Sequence, residues 1–166
     1  AEHGIDPERI GAFGSSAGGH LAACLGTMDT LDNSDPALAS FSSRVNCVID
    51  HCGPTDVTED MVGKVPQGAW CNQMIRELLG GKPEIARSAS PLFQVTPKSA
   101  PFIIFHGQKD DIVPLEQSER MVTALTAAGV SAELVAHEGG HDFGSDEELK
   151  TFLTKTEAFL KTHLRP

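Results

Sequence analysis

The sequence has little positive charge and no long apolar run. Its 166 residues contain 13 lysines and arginines against 23 aspartates and glutamates, which gives a formal net charge of −10. An acidic chain without a clustered basic stretch argues against a nucleic acid or an anionic membrane as partner. No stretch approaches the ~18 apolar residues that a membrane-spanning helix needs. We therefore expect neither partner, while the compartment stays open because the chain does not begin with Met.

The sequence also lacks the spacings that hold metal ions. No C-x-x-C pair occurs, and no group of histidines and carboxylates has metal-ligand spacing, so we expect no metal and no cofactor. Free cysteines inside apolar stretches usually behave as small buried hydrophobic residues. Buried thiols are therefore the favoured interpretation, with a disulfide left open, for the four cysteines: Cys24, Cys47, Cys52 and Cys71.

Internal repeats and low-complexity tracts are absent too, and the length suits one domain. Short apolar runs predict four strands: Arg9–Phe13, Val45–His51, Pro101–His106 and Ala132–His137. The second and third runs are apolar at nearly every position, which is typical of parallel strands covered on both faces.

Helical patterns alternate with these strands. They cover Ala17–Met28, Pro114–Ala128, and a last helix that starts at Ser145, where Glu148 completes a capping box. This alternation predicts an α/β fold with a mostly parallel sheet covered by helices. We expect the last helix to bury four apolar side chains: Leu149, Phe152, Leu153 and Leu160.

A long excursion, at about residues 53–100, separates the second and third predicted strands. An insertion of this length in a compact domain is either a lid or a packed surface segment. A helix is expected within it, over about Ala69–Leu79. For Trp70 and Met74 on this helix, ordinary core packing is favoured over contact with a substrate.

The strongest functional signal is the run Gly14-Ser-Ser-Ala-Gly18, which matches G-x-S-x-G and has Ser16 at its centre. Such an elbow is a sharp turn from a strand into a helix, and it holds the serine hydroxyl where it can attack a carbonyl. Ser15 is the rival nucleophile, but it would need glycine at the position of Phe13. The pattern therefore predicts Ser16.

A serine nucleophile needs a base, and the base needs a carboxylate that orients it. Both follow at the carboxyl ends of later predicted strands, the edge where chemistry gathers in open α/β sheets. Asp110 lies in the loop after the third strand, and His141 lies in a glycine-rich loop after the fourth. The order Ser16, Asp110, His141 is that of α/β hydrolases and differs from the orders in chymotrypsin and subtilisin.

Neighbouring residues compete for these roles. Asp111 is the main rival for the acid, and we expect it to face solvent or to cap the next helix. Asp142 is too close to His141 in sequence to orient it easily. Three other histidines are expected to be structural or hydrogen-bonded wall residues rather than the base: His20, His51 and His106.

These motifs resemble the alpha/beta hydrolase superfamily. The runs Ile5-Asp-Pro-Glu-Arg-Ile10 and Ser16-Ala-Gly-Gly-His-Leu-Ala22 are similar to the bacterial esterase/lipase group, which includes carbohydrate acetyl and feruloyl esterases, and to hormone-sensitive-lipase-like enzymes. The resemblance extends to about Leu160 and places nucleophile, acid and base on Ser16, Asp110 and His141. It implies the C-terminal part of an alpha/beta hydrolase fold and a carboxylic-ester hydrolase, with acetylated or feruloylated carbohydrates among its substrates.

Only one oxyanion donor is expected from these residues, the backbone N–H of Ala17 directly after the nucleophile. Gly18 and Gly19 are expected to let the start of the helix pack closely. A second donor loop of the His-Gly-Gly-Gly kind does not precede Ser16, and Ala1–Gly4 is typical of the last turn of a helix. We therefore expect one partial domain over residues 1–166 that starts mid-fold, and either a homo-oligomer or complementation by a missing N-terminal segment.

Two classes of function follow. The first is a serine hydrolase that cleaves small-molecule or carbohydrate esters through an acyl-enzyme; an arylformamidase, a peptidase and a thioesterase use the same triad. Ala17 favours an esterase over a prolyl-oligopeptidase-type enzyme, whose elbow usually has an aromatic residue after the serine. The second class is a catalytically incompetent fragment whose open edge strand pairs with another chain.

Overall fold

The computed structural model describes residues 3–6, 8–28, 35–39 and 41–164. The predicted helical turn at Ala1–Gly4 falls partly outside these ranges. Within the described ranges, no helix combines the length and the apolar character needed to cross a membrane. The elements are β1 (Gly11–Ser15), α1 (Ala17–Thr27), β2 (Cys47–His51), α2 (Gly68–Leu78), α3 (Ala86–Ala89), β3 (Phe102–Gly107), α4 (Glu116–Ala127), β4 (Ala132–His137) and α5 (Asp146–His163).

The described strands all run parallel, in the order β1-β2-β3-β4. Successive side chains on a strand point to opposite faces of the sheet, so both faces need a cover. Val48 and Phe102 pack in one cluster with residues of α1 and α4, whereas Ile49 and Ile103 pack in another with Phe152 of α5. The predicted α/β fold, with a parallel sheet covered by helices on both faces, is confirmed.

The first strand begins later than the sequence pattern predicts, at Gly11 instead of Arg9. The Arg9 guanidinium binds Asp6 at 2.6 Å. The Ile10 carbonyl accepts from the Asn46 backbone N–H at 2.7 Å, but the Ile10 N–H donates to the Asn46 side chain at 2.8 Å instead of to a strand carbonyl. The predicted end at Phe13 is also wrong, because β1 continues to Ser15. Of the other predicted strands, Val45–His51 is two residues too long, Pro101–His106 is shifted by one residue, and Ala132–His137 matches β4.

The last helix has the predicted capping box, in which the Ser145 and Glu148 side chains each bond to the other residue's backbone N–H. Its buried face is narrower than predicted. Phe152 is buried and contacts the Phe105 ring edge-on, with the ring centroids 4.6 Å apart, while Leu149 and Leu153 are 39% and 58% exposed. Phe152 is the side chain of α5 that faces the core here, so the prediction that Leu149 and Leu153 are buried is wrong. Leu160 is partly buried.

The helix predicted from Pro114 begins instead at Glu116 and ends at Ala127. Pro114 belongs to a preceding turn, in which its carbonyl accepts from the Gln117 N–H at 3.0 Å.

The excursion between β2 and β3 contains α2 and α3 and has its own apolar cluster. α2 spans Gly68–Leu78, one residue earlier than predicted. The predicted core packing of Trp70 and Met74 is wrong, since these side chains are 51% and 46% exposed. The cluster consists instead of Val57, Met61, Cys71, Ile75, Leu79, Ala86 and Val113.

All four cysteines are free thiols. The predicted burial is confirmed for Cys47, Cys52 and Cys71, whereas Cys24 is only half-buried. Burial raises the pKa of the Cys47 thiol to about 11 and that of the Cys52 thiol to about 12, so both are protonated at neutral pH.

Candidate active site

The chain turns sharply from β1 into α1 at Ser16, which has φ 55° and ψ −121°. A positive φ is uncommon for a residue with a Cβ and stores local strain. The surrounding backbone holds the turn: the Ser16 N–H donates to the His51 carbonyl at 2.8 Å, and the Ser16 carbonyl accepts from the His20 N–H at 3.1 Å. The structure therefore contains a strained strand-to-helix elbow at the predicted serine.

Two glycines permit the close approach of α1 to the sheet. A Cβ on Gly14 would lie 2.0 Å from the Gly18 carbonyl oxygen, and a Cβ on Gly19 would lie 2.2 Å from Asp50 Oδ1. Gly18 differs, because a Cβ there would meet no described atom within 4 Å. The expectation of close packing holds at Gly19 and is wrong at Gly18.

The structure brings together the residues predicted as nucleophile, base and acid. His141 Nε2 lies 2.8 Å from Ser16 Oγ, and His141 Nδ1 lies 2.7 Å from Asp110 Oδ2. These residues follow β1, β4 and β3, whose carboxyl ends meet at one edge of the parallel sheet. The Asp110 side chain is 0% exposed and that of His141 is 14% exposed, so the carboxylate lies behind a histidine that a substrate can reach.

The Asp110 carboxylate is fully hydrogen-bonded. Oδ1 accepts from the backbone N–H groups of Ile112 and Val113 at 2.9 and 2.8 Å, and Oδ2 accepts from His141 and lies 3.2 Å from His106 Nε2. Burial raises the pKa of Asp110, but these hydrogen bonds outweigh burial and hold the pKa well below its usual range. An ionised Asp110 keeps the proton of His141 on Nδ1, which leaves Nε2 free to accept one.

His106 has a role that the sequence did not indicate. It is a hydrogen-bonded wall residue, as predicted: Ser118 Oγ donates to its Nδ1 at 2.7 Å, and its Nε2 donates to the Val113 carbonyl at 3.0 Å. Its contact with Asp110 makes it part of the support of the acid as well. The only sequence signal is the separation of four residues between His106 and Asp110, which has meaning only once the loop geometry is known.

Ser15 and His51 form a separate pair beside the site. Ser15 Oγ donates to His51 Nδ1 at 2.7 Å, and His51 Nε2 donates to the Asp142 carbonyl at 2.9 Å. Ser15 is therefore paired with a histidine other than His141. His51 is the predicted wall residue, and it supports the backbone next to His141.

The remaining rivals also have other partners. Asp111 accepts from Gln67 Nε2 at 2.7 Å; of the two expectations for it, partial exposure to solvent is found, and capping of α4 is not, since that helix has no side-chain cap. His20 is buried and donates from Nδ1 to the Pro54 carbonyl at 2.9 Å, as expected for a structural histidine.

A buried thiol lies next to the base. Cys52 has φ 46°, and its Sγ lies 3.9 Å from His141 Nε2. Cys52, Asp110 and His141 offer ligand atoms within 4.8 Å of one another, and no other such group is found in the described part of the chain. Both ring nitrogens of His141 already bond to Ser16 and Asp110, so we assign no metal to this group.

Asp50 is a buried carboxylate beneath the start of α1. Its Oδ1 accepts from the Gly53 N–H at 3.0 Å, while Oδ2 has no partner among the described residues. Burial raises the pKa of Asp50 to about 6, against the hydrogen bond from Gly53, which lowers it.

Ala17, the residue expected to donate to an oxyanion, is the first residue of α1. Its backbone N–H has no hydrogen-bond partner within the described ranges. The first N–H groups of a helix point toward its N-terminus, where the helix dipole favours negative charge. The Ala17 N–H is therefore available directly beside the nucleophile; we identify no second donor among the described residues.

An apolar cavity of about 290 Å³ opens beside Ser16 and Ala17. A second cavity of about 280 Å³ lies behind the His141 loop, between β4 and α5, and Ser16 does not line it. The apolar walls of the first cavity include Leu21, Trp70, Met74, Leu78, Ile112 and Val113.

Comparison with known proteins gives several esterases among the relatives. The chain is 32% identical over 136 residues to Esterase LipQ of Mycobacterium tuberculosis, a match that covers 79% of this chain and 31% of that protein. The chain superposes on the butyrate-bound esterase Est2 of Thermogutta terrifontis with a TM-score of 0.77 at 33% identity. The superposition covers 100% of this chain and 61% of the Est2 chain. The chain also superposes on the acetyl ester-xyloside bifunctional hydrolase of Caldicellulosiruptor lactoaceticus with a TM-score of 0.73 at 27% identity. This superposition covers 95% of this chain and 58% of the hydrolase chain.

The parallel sheet, the strained serine elbow and these structural neighbours define the fold as that of an alpha/beta hydrolase. The sequence model of the BD-FAE family matches residues 1–125, so the chain belongs to the BD-FAE family of that superfamily. It spans about a third of the length of the curated esterases it matches and about three fifths of the solved chains.

Proposed function

We propose that the protein hydrolyses carboxylic esters through an acyl-enzyme on Ser16. The single observation that carries this proposal is the unbroken chain of contacts from Ser16 Oγ to His141 at 2.8 Å and from His141 to Asp110 at 2.7 Å. The names of the relatives support the ester as the bond cleaved: LipQ is an esterase, and Thermogutta terrifontis esterase 2 is also known in a form phosphonylated by sarin.

The reaction follows from these contacts. His141 Nε2 takes the hydroxyl proton as Ser16 Oγ bonds to the ester carbonyl carbon, and the Ala17 N–H donates to the resulting oxyanion. The bond to the alcohol oxygen then breaks as His141 returns the proton to that oxygen, which leaves an acyl-serine. His141 then takes a proton from a water molecule, whose oxygen bonds to the acyl carbon, and it returns this proton to Ser16 Oγ as the acyl–serine bond breaks. These steps release the carboxylic acid and free Ser16. Asp110 stays ionised throughout and stabilises the imidazolium.

The alcohol half of the substrate is proposed to be a carbohydrate, with acetylated or feruloylated sugars as candidates. The likeness to a hydrolase named for acetyl esters and xylosides and to a carbohydrate esterase from gut microbiota supports this finer proposal. Release of acetate from acetylated xylo-oligosaccharides, compared with release from p-nitrophenyl acetate, tests it. A rate on the oligosaccharides no higher than the uncatalysed rate would contradict it.

The test of ester hydrolysis compares two adjacent serines. With p-nitrophenyl butyrate, the Ser16→Ala variant should lose about 10⁵-fold or more in kcat, because no hydroxyl remains for His141 to activate. Ser15→Ala is the matched control and should keep most of the turnover, since Ser15 bonds to His51 rather than to His141. Equal activity of Ser16→Ala and the unaltered protein would overturn the proposal.

A further inference from the structure

α2 is apolar on two faces, although only one of them is needed for packing. Cys71 and Ile75 form its buried face. Trp70, Met74 and Leu78 form a second stripe, at positions i, i+4 and i+8, and are 51%, 46% and 57% exposed. A helix on the surface of a protein normally places polar residues on the face away from the core. The second stripe therefore offers an apolar surface that an apolar part of a bound ligand would cover.

This stripe is one wall of the cavity beside Ser16, and the facing walls are also apolar. Few polar groups line the cavity: His20 Nδ1 already donates to the Pro54 carbonyl at 2.9 Å, and Glu77 is exposed. A sugar hydroxyl placed there would lose its hydrogen bonds to water and gain few in return. An alkyl or aryl group would lose only contact with water, which is favourable.

The position of the cavity relative to the base shows which half of an ester it faces. The leaving alcohol oxygen must lie at His141 Nε2, because it takes its proton from there. Ser16 and Ala17 line the cavity, but His141 does not. A cavity lined by Ser16 and Ala17 but not by His141 is therefore better placed for the acyl group, which extends from the carbonyl carbon away from the leaving oxygen.

We infer that this cavity binds the acyl group of the substrate, that it selects apolar acyl groups, and that Trp70 and Met74 determine this selection. The inference rests on the proposed function of Ser16 and deepens it. A volume of about 290 Å³ is at the lower end of the ~300–1,000 Å³ usual for small-ligand sites, so one short acyl chain fits better than a whole oligosaccharide.

The kinetic test uses a series of p-nitrophenyl esters on the protein at its native length. From acetate through butyrate to hexanoate, kcat/KM should rise about fourfold for each added methylene that enters the cavity. Trp70→Ala should lower the ratio of hexanoate to acetate kcat/KM at least fivefold, and Met74→Ala should lower it to a smaller extent. Leu153→Ala, which removes an exposed leucine on α5, is the matched control and should leave the ratio unchanged.

A second series separates the two halves of the ester. In ethyl, butyl and hexyl acetates the acyl group is constant and the alcohol grows. Trp70→Ala should leave the ratios within this series unchanged. A change in the alcohol series without a change in the acyl series would overturn the assignment of the cavity to the acyl group.

A binding test does not depend on hydrolysis. Trp70 is the only tryptophan among the 166 residues, so its fluorescence reports on the cavity, and Trp70→Phe supplies the background. In the Ser16→Ala variant, hexanoate should shift the Trp70 emission to shorter wavelength, and acetate should not. A shift without hydrolysis by the unaltered protein would refute the proposed function and keep the apolar cavity as a binding site. Hydrolysis with no shift and no effect of Trp70→Ala on the acyl ratio would overturn the inference and leave the proposed function intact.

Discussion

At the scale of single residues, two adjacent carboxylates have opposite surroundings. Asp110 is buried, accepts from His141 and two backbone N–H groups, and lies near His106, whereas Asp111 is partly exposed and accepts from Gln67. Substituting each of these two carboxylates in turn therefore distinguishes orientation of His141 from the effect of a negative charge near the site.

We expect Asp110→Asn to lower kcat about 10³–10⁴-fold, because an amide at this position can donate to His141 and favours the tautomer that cannot accept a proton from Ser16. Asp111→Asn should change kcat less than about twofold, since this carboxylate contacts no member of the triad. Steady-state kinetics with p-nitrophenyl butyrate checks both variants. Equal losses in the two would refute Asp110 as the orienting acid.

Asp50 provides a prediction about stability. Its pKa rises from 3.8 to about 6 on folding because it is buried, so between these values the folded state binds more protons than the unfolded state. Stability must then fall as pH increases through this window, and the Asp50 contribution lost by pH 7 is on the order of 3 kcal/mol.

Asp50→Asn removes this titration while it keeps an acceptor for the Gly53 N–H. The difference in free energy of unfolding, variant minus unaltered protein, should therefore grow in favour of the variant from pH 4 to pH 7. Urea unfolding at several pH values measures it, with Asp111→Asn as the control for loss of one carboxyl group. A difference that does not change with pH would contradict the buried, unpaired state of Asp50.

At the scale of secondary-structure elements, the approach of α1 to β1 depends on one glycine of the elbow motif more than on the other. Gly14 lies against the Gly18 carbonyl, whereas no described atom lies where a Gly18 Cβ would be. The two glycines of G-x-S-x-G are thus unequal in this chain.

Gly14→Ala should displace α1 from β1, destabilise the fold by several kcal/mol and abolish esterase activity, because backbone atoms 2.0 Å from the new methyl cannot give way cheaply. Gly18→Ala should fold normally and keep activity, and it should gain up to about 1 kcal/mol from the better helix propensity of alanine. Thermal unfolding monitored by circular dichroism, together with ester hydrolysis, tests the pair. Similar melting temperatures for both variants would contradict the packing described.

Much of the fold and site follows from local sequence. The predicted bounds of β4, which ends at a glycine-rich loop, match the structure to the residue. The predicted Ser16, Asp110 and His141 come together because parallel strands align their carboxyl ends. Local sequence does not determine which face of a helix packs against the core. Which face of α2 packs inward depends on the cluster around Met61 and Val113, so the exposure of Trp70 could not be predicted from spacing alone. The contact between His106 and Asp110 likewise depends on a loop conformation.

At the scale of the whole molecule, β1 is the edge of the described sheet, and no described strand pairs with its outer side. Large apolar side chains are exposed at this edge, namely Phe13 on β1 and Ile10 directly before it. We propose that further chain, from a second copy or from an N-terminal segment, covers this edge, because open apolar edges favour pairing with other strands.

The 166-residue chain by itself should therefore self-associate. Multi-angle light scattering should give the mass of a dimer or a larger species, and Phe13→Lys should shift the distribution toward monomer, since a charge on an edge strand opposes pairing. A stable monomer at tens of micromolar would contradict the exposed-edge proposal.

The central claim is that Ser16 is an activated nucleophile, and covalent labelling tests it most directly. The protein at its native length is incubated with a fluorophosphonate, and the intact mass and the modified peptide are determined. We predict one adduct, on Ser16, that is absent in Ser16→Ala and that forms much more slowly in Asp110→Asn than in Asp111→Asn. No adduct, or an adduct on another residue at the same rate in all variants, would contradict the account.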